Sequence, residues 1–225
     1  MLFLHGYMSC KESFYYNISE LKKYFRITAP DFPGFGASSP LPEAWSVSDY
    51  ADWLEEFIST VGLSSPHIVA HSFGARVAIK LASRRADAVD KLVITGGAGL
   101  VKPRTRAYKA KVALYRAVKK IAPAFAEKRF GSEEYRKLSP LMRESYKKIV
   151  NEDLRGDAAK IKSPALLIYG DKDGVTPAAE EGRIFADAIE RARLVTISGG
   201  HFCFSQNYKQ FNSEVIAFLL GEREK

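Results

Sequence analysis

Short apolar runs alternate with longer segments of helical periodicity along most of this 225-residue chain. Each run is four or five residues long and rich in Leu, Ile and Val, which is typical of strands covered on both faces. The pattern predicts an α/β protein with a mostly parallel sheet flanked by helices. The predicted strands are Leu2–His5, Arg26–Ala29, His67–Ala70, Lys91–Thr95, Ala165–Tyr169 and Arg193–Ile197.

Helical spacing of apolar residues fills the intervals between these strands. Ser48 is the predicted N-cap of the helix that contains Tyr50 and Leu54. The other predicted helices run from Phe14 to Phe25, over Phe73–Ser83, from Pro177 to Ile189, and from Phe211 to Leu219.

The alternation breaks between Leu100 and Asp157, where apolar residues recur at helical intervals among cationic ones. Ser139 followed by Pro140 is a start signal for one helix of this segment. We therefore predict one core, formed by residues 1–99 and 158–225, with residues 100–157 inserted as a helical cap.

The composition is that of one compact domain with a large core, since 46% of the residues are hydrophobic and 14 are Phe. Two cysteines, Cys10 and Cys203, are too few for a disulfide framework or a metal cluster, which fits a reducing compartment. The N-terminal residues lack the basic start of a signal peptide, and no apolar run is long enough to span a bilayer. We expect a cytoplasmic protein without stable membrane insertion.

The net charge of +8 is unevenly distributed, because the segment from Lys102 to Lys148 alone carries +11. A basic cap over a cleft would attract an anionic substrate. The alternative, which we favour, is a solvated helix face that carries Lys102, Lys109, Lys119 and Lys120. A weak contact with an anionic membrane is a further alternative. Nucleic-acid binding is disfavoured, because the aromatic residues of the segment recur on its apolar stripe.

The segment from His67 to Arg76 predicts a serine on a sharp strand-to-helix turn. An apolar run leads into Ser72, small residues flank the serine, and a helical pattern follows at once. Ala70 stands where the G-x-S-x-G elbow has its first glycine. Such a turn holds the serine hydroxyl clear of the backbone, as a nucleophile requires.

Three other predicted strands also end in segments suited to chemistry. A glycine turn places Tyr7 after the first strand, a polar loop carries Asp173, and two glycines precede His201. In parallel sheets, ligand sites form beyond the carboxyl ends of the strands. The chain order Ser72, Asp173, His201 is one of the known orders of a serine–acid–histidine triad.

With these motifs the sequence resembles the α/β-hydrolase fold superfamily over nearly its whole length. The resemblance also includes a D-x-x-G-x-G-x-S segment from Asp31 to Ser38. The other matching motifs are His5-Gly6-Tyr7, Gly170-x-x-Asp173-x-x-x-Pro177 and Gly199-Gly200-His201.

The resemblance implies a role for each of these residues. Ser72 would be the nucleophile, His201 its general base and Asp173 the carboxylate that orients the histidine. The backbone N–H groups of Tyr7 and Phe73 would form the oxyanion hole. Met8, Tyr108 and Phe202 are candidates for the substrate pocket.

Several polar residues near these motifs are interpreted as structural. Asp171 competes with Asp173 for the role of the acid, and we favour Asp173 for its spacing to Pro177. Asp31 is expected to anchor the loop that follows it. The remaining histidines are also interpreted as structural: His5 as a hydrogen-bonded residue, His71 as pointing inward, and His67 as lying at the opposite end of the sheet.

We expect a cofactor-independent serine hydrolase that cleaves a carboxylic ester or related acyl compound through an acyl-enzyme. The sequence has neither metal-ligand spacing nor a Gly-rich phosphate loop, so no metal is expected. Alternatives are a hydrolase or lyase acting on C–C bonds, and a non-catalytic ligand-binding protein on the same fold. Enzymes of this fold with an aspartate nucleophile are disfavoured by Ser72.

The chain departs from the family at its N-terminus. Members usually have two strands before the one that leads into His-Gly, and here that strand begins at Leu2. The family's strand order then leaves Arg26–Ala29 at the edge of the sheet. An unpaired edge favours strand-mediated association, so a homodimer is left open.

Overall fold

Five parallel strands form the central sheet of the computed structural model, which describes residues 1–101, 110, 112–115, 121 and 133–221. The strands lie side by side in chain order, so every connection crosses over to the next strand. All carboxyl ends therefore lie at one edge of the sheet. The strands are β1 (Leu2–Leu4), β2 (Ile68–His71), β3 (Leu92–Thr95), β4 (Ala165–Gly170) and β5 (Ala192–Ile197).

Helices cover both faces of this sheet. Side chains alternate along each strand, so Leu4 and Ala70 pack on one face while Phe3 and Val69 pack on the other. The helices are α1 (Tyr15–Leu21), α2 (Val47–Thr60), α3 (Phe73–Arg84), α4 (Glu133–Lys137), α5 (Pro140–Val150), α6 (Arg155–Ala158), α7 (Arg183–Ala188), α8 (Cys203–Gln206) and α9 (Tyr208–Leu220). A 3₁₀ turn over Lys11–Phe14 precedes α1, and a π-helical turn over Ala178–Gly182 precedes α7.

Each face of the sheet carries its own hydrophobic core, the first on the face of Leu4 and Ala70 and the second on the face of Phe3 and Val69. The two cores are built from different helices. Helices α2, α3, α6 and α7 contribute to the first core, and α1, α8 and α9 to the second. This three-layer arrangement confirms the predicted α/β class with a parallel sheet flanked by helices.

The predicted strand Arg26–Ala29 is wrong as a full strand, because only Thr28 forms a bridge, with Leu2 on the outer side of β1. The Thr28 N–H donates to the Met1 carbonyl at 2.9 Å, and the Phe3 N–H donates to the Thr28 carbonyl at 2.9 Å. Pro30 has no N–H, so the pairing cannot extend further along the segment. Its position outside β1 is the edge position expected from the sequence.

Helix α2 begins earlier than predicted, and its N-cap is Ser46 rather than Ser48. Ser46 and Asp49 form a reciprocal capping box, in which each side chain accepts from the other residue's N–H. The Ser48 hydroxyl instead accepts a hydrogen bond from Arg84. At the other predicted start, the Ser139 hydroxyl accepts from the Met142 N–H at 3.2 Å and caps α5 as expected.

Helix α5, within the predicted cap, is fixed to the core by polar contacts along its length. The Ser145 hydroxyl donates to the Trp45 carbonyl at 2.6 Å. Near the end of α5, the buried Arg76 side chain of α3 donates to the carbonyls of Ile149 and Glu152 at 3.0 and 3.1 Å. The described residues between 133 and 157 contain helices and no strand, and the division into core and cap stays a prediction.

No helix in the described part of the chain is long and apolar enough to cross a lipid bilayer. The four lysines expected on a solvated cap face, Lys102, Lys109, Lys119 and Lys120, lie outside the described residues.

Candidate active site

Ser72 occupies the turn between β2 and α3 with a backbone conformation that non-glycine residues rarely adopt. Its φ is 50° and its ψ is −103°. Such a conformation costs on the order of 1–3 kcal/mol, and the surrounding packing must maintain it. The Ser72 N–H donates to the Thr95 carbonyl at 3.1 Å, and its own carbonyl accepts from the Arg76 N–H at 3.3 Å. The serine is therefore held, half-buried, beyond the carboxyl end of the sheet.

Two glycines allow the turn after β1 to approach the turn that carries Ser72. A Cβ on Gly74 would overlap the Leu4 carbonyl oxygen. A Cβ on Gly6 would lie 2.8 Å from Nδ1 of His71 and 3.7 Å from Cβ of Ser72. Neither position has room for a larger residue, so the start of α3 packs directly against the Gly6 turn.

Tyr7 directly follows Gly6, and Phe73 directly follows Ser72, so each contributes a backbone N–H next to this contact. Neither group donates to an acceptor in the part of the chain that the structure describes. An oxyanion hole needs such free donors, directed at the position where negative charge develops on the substrate. These two N–H groups are the ones that the sequence resemblance implied.

His201 and Asp173 form a hydrogen-bonded pair in the site. Nδ1 of His201 lies 2.9 Å from Oδ2 of the Asp173 carboxylate. The same oxygen accepts from the Thr176 hydroxyl at 2.9 Å, and Oδ1 accepts from the N–H groups of Val175 and Thr176 at 2.8 and 2.9 Å. Burial alone raises the pKa of Asp173, but the hydrogen bonds from His201 and Thr176 outweigh it and lower the pKa to about 2. An ionised carboxylate only accepts, so Nδ1 of His201 carries a proton.

A glycine at the end of β3 makes room for the His201 ring. A Cβ on Gly96, whose φ is +52°, would lie 3.1 Å from Nδ1 of His201. The neighbouring Thr95 carbonyl holds Ser72, so the serine and the histidine both lie beside the end of β3. Within the described residues no hydrogen bond joins their side chains, as is common in hydrolytic sites before substrate binds.

His71 is buried, in agreement with the prediction that it points inward, and it lies against His201. Its ring centroid is 4.7 Å from that of His201, and its Nε2 donates to the His201 carbonyl at 3.0 Å. Nδ1 of His71 is buried and has no hydrogen-bond partner in the part of the chain described. Burial lowers the pKa of His71 to about 3, with a smaller contribution from the neighbouring His201. His71 is therefore neutral, and its ring packs against the ring of His201.

The other polar residues take the structural places predicted for them. Asp171 is exposed, and it accepts from the Gly199 N–H at 2.9 Å rather than contacting His201. The Asp31 carboxylate accepts from the Ala37 N–H at 2.9 Å and anchors that loop.

The remaining histidines lie away from Ser72. Buried His5 donates from Nδ1 to the Gly6 carbonyl at 2.8 Å and accepts at Nε2 from the Phe32 N–H at 3.0 Å. Burial lowers the pKa of His5, so this neutral tautomer persists. His67 precedes β2, at the end of the sheet away from Ser72, and its Nδ1 lies 3.1 Å from Asp90.

Of the three predicted pocket residues, two lie in the described part of the chain. Met8 and Phe202 are 42% and 48% exposed, and the Phe202 ring lies 5.6 Å from the His201 ring. Tyr108 lies outside the described residues. Next to Met8 opens a cleft of about 460 Å³, whose lining includes Phe35, Leu41 and Met142.

Sequence reasoning missed two residues of the site, Thr176 and Gly96. Thr176 follows Asp173 by three positions, where a hydroxyl and an N–H can both return to the carboxylate, so the D-x-x-T spacing was an available signal. Gly96 follows directly after a predicted strand, but nothing in the sequence indicates that a histidine from a distant segment fills the space beside it.

A comparison with known families and structures adds to this geometry. A model described as the alpha/beta hydrolase fold matches residues 1–155. The chain belongs to the alpha/beta hydrolase fold family. This confirms the family, the fold and the class of enzyme, a hydrolase, that the sequence motifs predicted.

The similar proteins include several that are named as hydrolases or esterases. The AB hydrolase superfamily protein YisY of Bacillus subtilis (strain 168) is 26% identical, over 97% of this chain and 90% of that protein. An esterase (EaEST) from Exiguobacterium antarcticum has a TM-score of 0.75 and 23% identity, over 96% of this chain and 90% of that one. The meta-cleavage product hydrolase CumD from Pseudomonas fluorescens IP01, solved as a mutant complexed with acetates, has a TM-score of 0.74 and 22% identity, over 99% and 90%. At these identities the structural likeness shows the fold alone.

Proposed function

We propose that this alpha/beta hydrolase cleaves a carboxylic ester or related acyl compound through a covalent acyl-enzyme on Ser72. The observation that carries the proposal is that the strained Ser72 turn and His201, hydrogen-bonded to Asp173, both lie beside the end of β3. A serine hydroxyl is a weak nucleophile at its ordinary pKa and needs an adjacent base. We infer that His201 is this base, because its Nδ1 is held by Asp173.

In the first half of the reaction, Ser72 Oγ attacks the carbonyl carbon of the ester while Nε2 of His201 takes the hydroxyl proton. The carbonyl oxygen becomes an oxyanion and accepts hydrogen bonds from the N–H groups of Tyr7 and Phe73. The bond from carbon to the leaving oxygen then breaks, and the proton on Nε2 passes to the departing alcohol. Ser72 is left acylated.

In the second half, water takes the place of the alcohol. Nε2 of His201 removes a proton from the water, which attacks the acyl carbon, and the Ser72 oxygen leaves with that proton. Throughout, Asp173 holds the proton of Nδ1 in place and stabilises the imidazolium ion. Nε2 therefore presents its lone pair toward the serine.

The relatives support this proposal and also supply the alternative. The fold neighbour named an esterase agrees with acyl transfer, and the meta-cleavage product hydrolase agrees with the alternative, cleavage of a C–C bond. Both are compatible with a serine at position 72. The two candidate reactions differ in the substrate they need, because only an ester releases an alcohol.

Burst kinetics with p-nitrophenyl acetate test the proposal. We expect a burst of p-nitrophenol in proportion to enzyme, followed by slower steady turnover, because acylation releases the phenol before water clears the acyl group. Ser72→Ala removes both phases. Undiminished hydrolysis by Ser72→Ala would contradict the proposal, and turnover only of substrates that are cleaved at a C–C bond would favour the C–C alternative.

A further inference from the structure

Tyr7 links the proposed oxyanion hole to the predicted cap. Its backbone N–H, like that of Phe73, donates to no acceptor among the described residues. Its side-chain hydroxyl donates a hydrogen bond of 3.0 Å to the Met142 carbonyl in the first turn of α5. The two residues are 135 positions apart in the chain, so this bond joins separate segments.

The Tyr7 ring is held on several sides. Its centroid lies 4.9 Å from that of Phe35, 5.5 Å from that of Phe73 and 5.2 Å from that of Tyr146, which follows Met142 by one turn of α5. Burial raises the pKa of the Tyr7 hydroxyl, so it stays a protonated donor at neutral pH. The ring contacts fix the position of the Tyr7 ring, and the hydrogen bond from its hydroxyl directs the ring toward Met142 of α5.

Helix α5 is itself a firm support for this bond. At its far end, the carbonyl of Ile149 accepts from Arg76, which lies one turn after Ser72 on α3. The helix is thus joined to the helix that follows the nucleophile at one end and to the Gly6–Tyr7 turn at the other. A support fixed at both ends can hold an N–H donor in a set direction, which an isolated loop residue cannot do.

Met142 also lines the cleft beside Met8. Its sulfur lies 3.1 Å from the point where a Cβ on Gly34 would stand, and the cleft of about 460 Å³ opens between that loop and α5. The hydroxyl bond of Tyr7 therefore ties the oxyanion turn to a wall of this cleft.

We propose that Tyr7 is a positioning residue: the bond from its hydroxyl to the Met142 carbonyl aligns the Tyr7 N–H with the oxyanion that forms at Ser72. The inference rests on the proposed function, because it needs an acyl carbonyl at Ser72. It goes beyond that function because it gives a role to the Tyr7 side chain, whereas the proposed reaction uses only the Tyr7 backbone N–H.

Tyr7→Phe tests the inference, because phenylalanine keeps the ring and the backbone N–H and removes only the hydroxyl. We expect kcat for p-nitrophenyl acetate to fall about tenfold with KM within about twofold, since an oxyanion donor acts in the transition state. Phosphonylation of Ser72 by a fluorophosphonate probe should slow by a similar factor, because that reaction also places an anionic oxygen in the hole.

Tyr50→Phe is the matched control. Tyr50 is a buried tyrosine whose ring also contacts Phe73, at 4.9 Å, and whose hydroxyl donates to a backbone carbonyl, that of Pro33, at 3.1 Å. It lies outside the oxyanion turn. We expect both variants to lose a similar amount of thermal stability, and only Tyr7→Phe to lose kcat and labelling rate.

The experiment distinguishes a failure of this inference from a failure of the proposed function. Equal kcat and equal labelling rate in Tyr7→Phe and Tyr50→Phe would overturn the inference and leave the proposed function intact. A wild-type enzyme that neither hydrolyses the ester nor accepts the probe would overturn the proposed function and, with it, the inference.

Discussion

The Thr176 hydroxyl and the His201 ring meet at a single oxygen of Asp173, each at 2.9 Å, while Oγ1 of Thr176 also lies 3.2 Å from Nδ1 of His201. The carboxylate is therefore fixed on both oxygens, because Oδ1 is occupied by two backbone N–H groups. The imidazole has one orientation in which its Nδ1 proton is satisfied. In that orientation Nε2 has no hydrogen-bond partner among the residues that the structure describes.

The arrangement predicts different outcomes for two neighbouring aspartates. Asp173→Asn should lower kcat by about 10³-fold to 10⁴-fold, because the amide favours the wrong tautomer of His201. Asp171→Asn should stay within about twofold of the wild type, since Asn keeps the oxygen that accepts from Gly199. Steady-state kinetics of both variants decide, and equal losses would contradict the assignment of Asp173.

The close contact at Gly6 predicts the effect of adding a methyl group there. In Gly6→Ala the Cβ would lie 2.8 Å from Nδ1 of His71, so the turn that carries Tyr7 must shift away from Ser72. We expect kcat/KM to fall about tenfold or more, because small displacements of a catalytic donor are costly.

Gly156→Ala is the control for this change. Nothing lies within 4 Å of a Cβ at Gly156, which lies in α6. We expect unchanged activity and a gain in the free energy of unfolding of about 0.5–1 kcal/mol, because alanine favours the helix. Full activity in Gly6→Ala would show that the tight contact does not position the turn.

Buried Arg76 predicts a large loss of stability at the junction of α3 and α5. In Arg76→Ala the buried carbonyl of Ile149 and the half-buried carbonyl of Glu152 lose their donor, so the free energy of unfolding should fall by about 2–3 kcal/mol. Arg84, also on α3, forms an exposed ion pair with Asp52 of α2, and Arg84→Ala should cost less than about 1 kcal/mol. Urea unfolding measures both, and equal losses would contradict the role of Arg76 as an anchor.

The burial of His71 should make the stability of the protein depend on pH. Its pKa in the folded protein is about 3, below its ordinary value of 6.5, so folding favours the neutral ring. Its contribution to stability is complete above pH 6.5 and is lost as the pH falls toward 3. Between neutral pH and about pH 5 the loss should be on the order of 2 kcal/mol.

His71→Gln is the comparison, because glutamine does not titrate and its amide can donate to the His201 carbonyl in place of Nε2. Urea unfolding at a series of pH values should give a flatter dependence for the variant over this range. The same slope in both proteins would mean that His71 does not titrate with unfolding.

Much of the site could be anticipated from the sequence because its parts follow predicted strands. Ser72 follows β2, Asp173 lies in the loop after β4, and His201 follows β5, and the ends of parallel strands share one edge of a sheet. Glycines beside these residues marked the turns. The choice of Asp173 over Asp171 as the acid depended on sequence spacing. In the structure the two residues differ in their partners, because Asp171 accepts from the Gly199 N–H and Asp173 contacts His201.

Other features of the site depend on contacts between distant segments, which no local sequence pattern indicates. The bond from Tyr7 to Met142 and the packing of Gly96 on His201 join segments that are far apart in the chain. The choice of Ser46 over Ser48 as N-cap depended on Asp49, whose spacing to Ser46 was a legible signal. The short helix α8 forms where Cys203 and Phe204 pack into the second core, and its four residues carry too little periodicity to predict.

The most direct test of an activated serine is the intact mass of the protein after exposure to a fluorophosphonate probe. The wild type should gain the mass of one probe, because only a serine with an adjacent base attacks such a phosphorus centre readily. Ser72→Ala and His201→Ala should gain none under the same conditions. An adduct that persists in Ser72→Ala, or a folded wild type that stays unlabelled, would contradict the account.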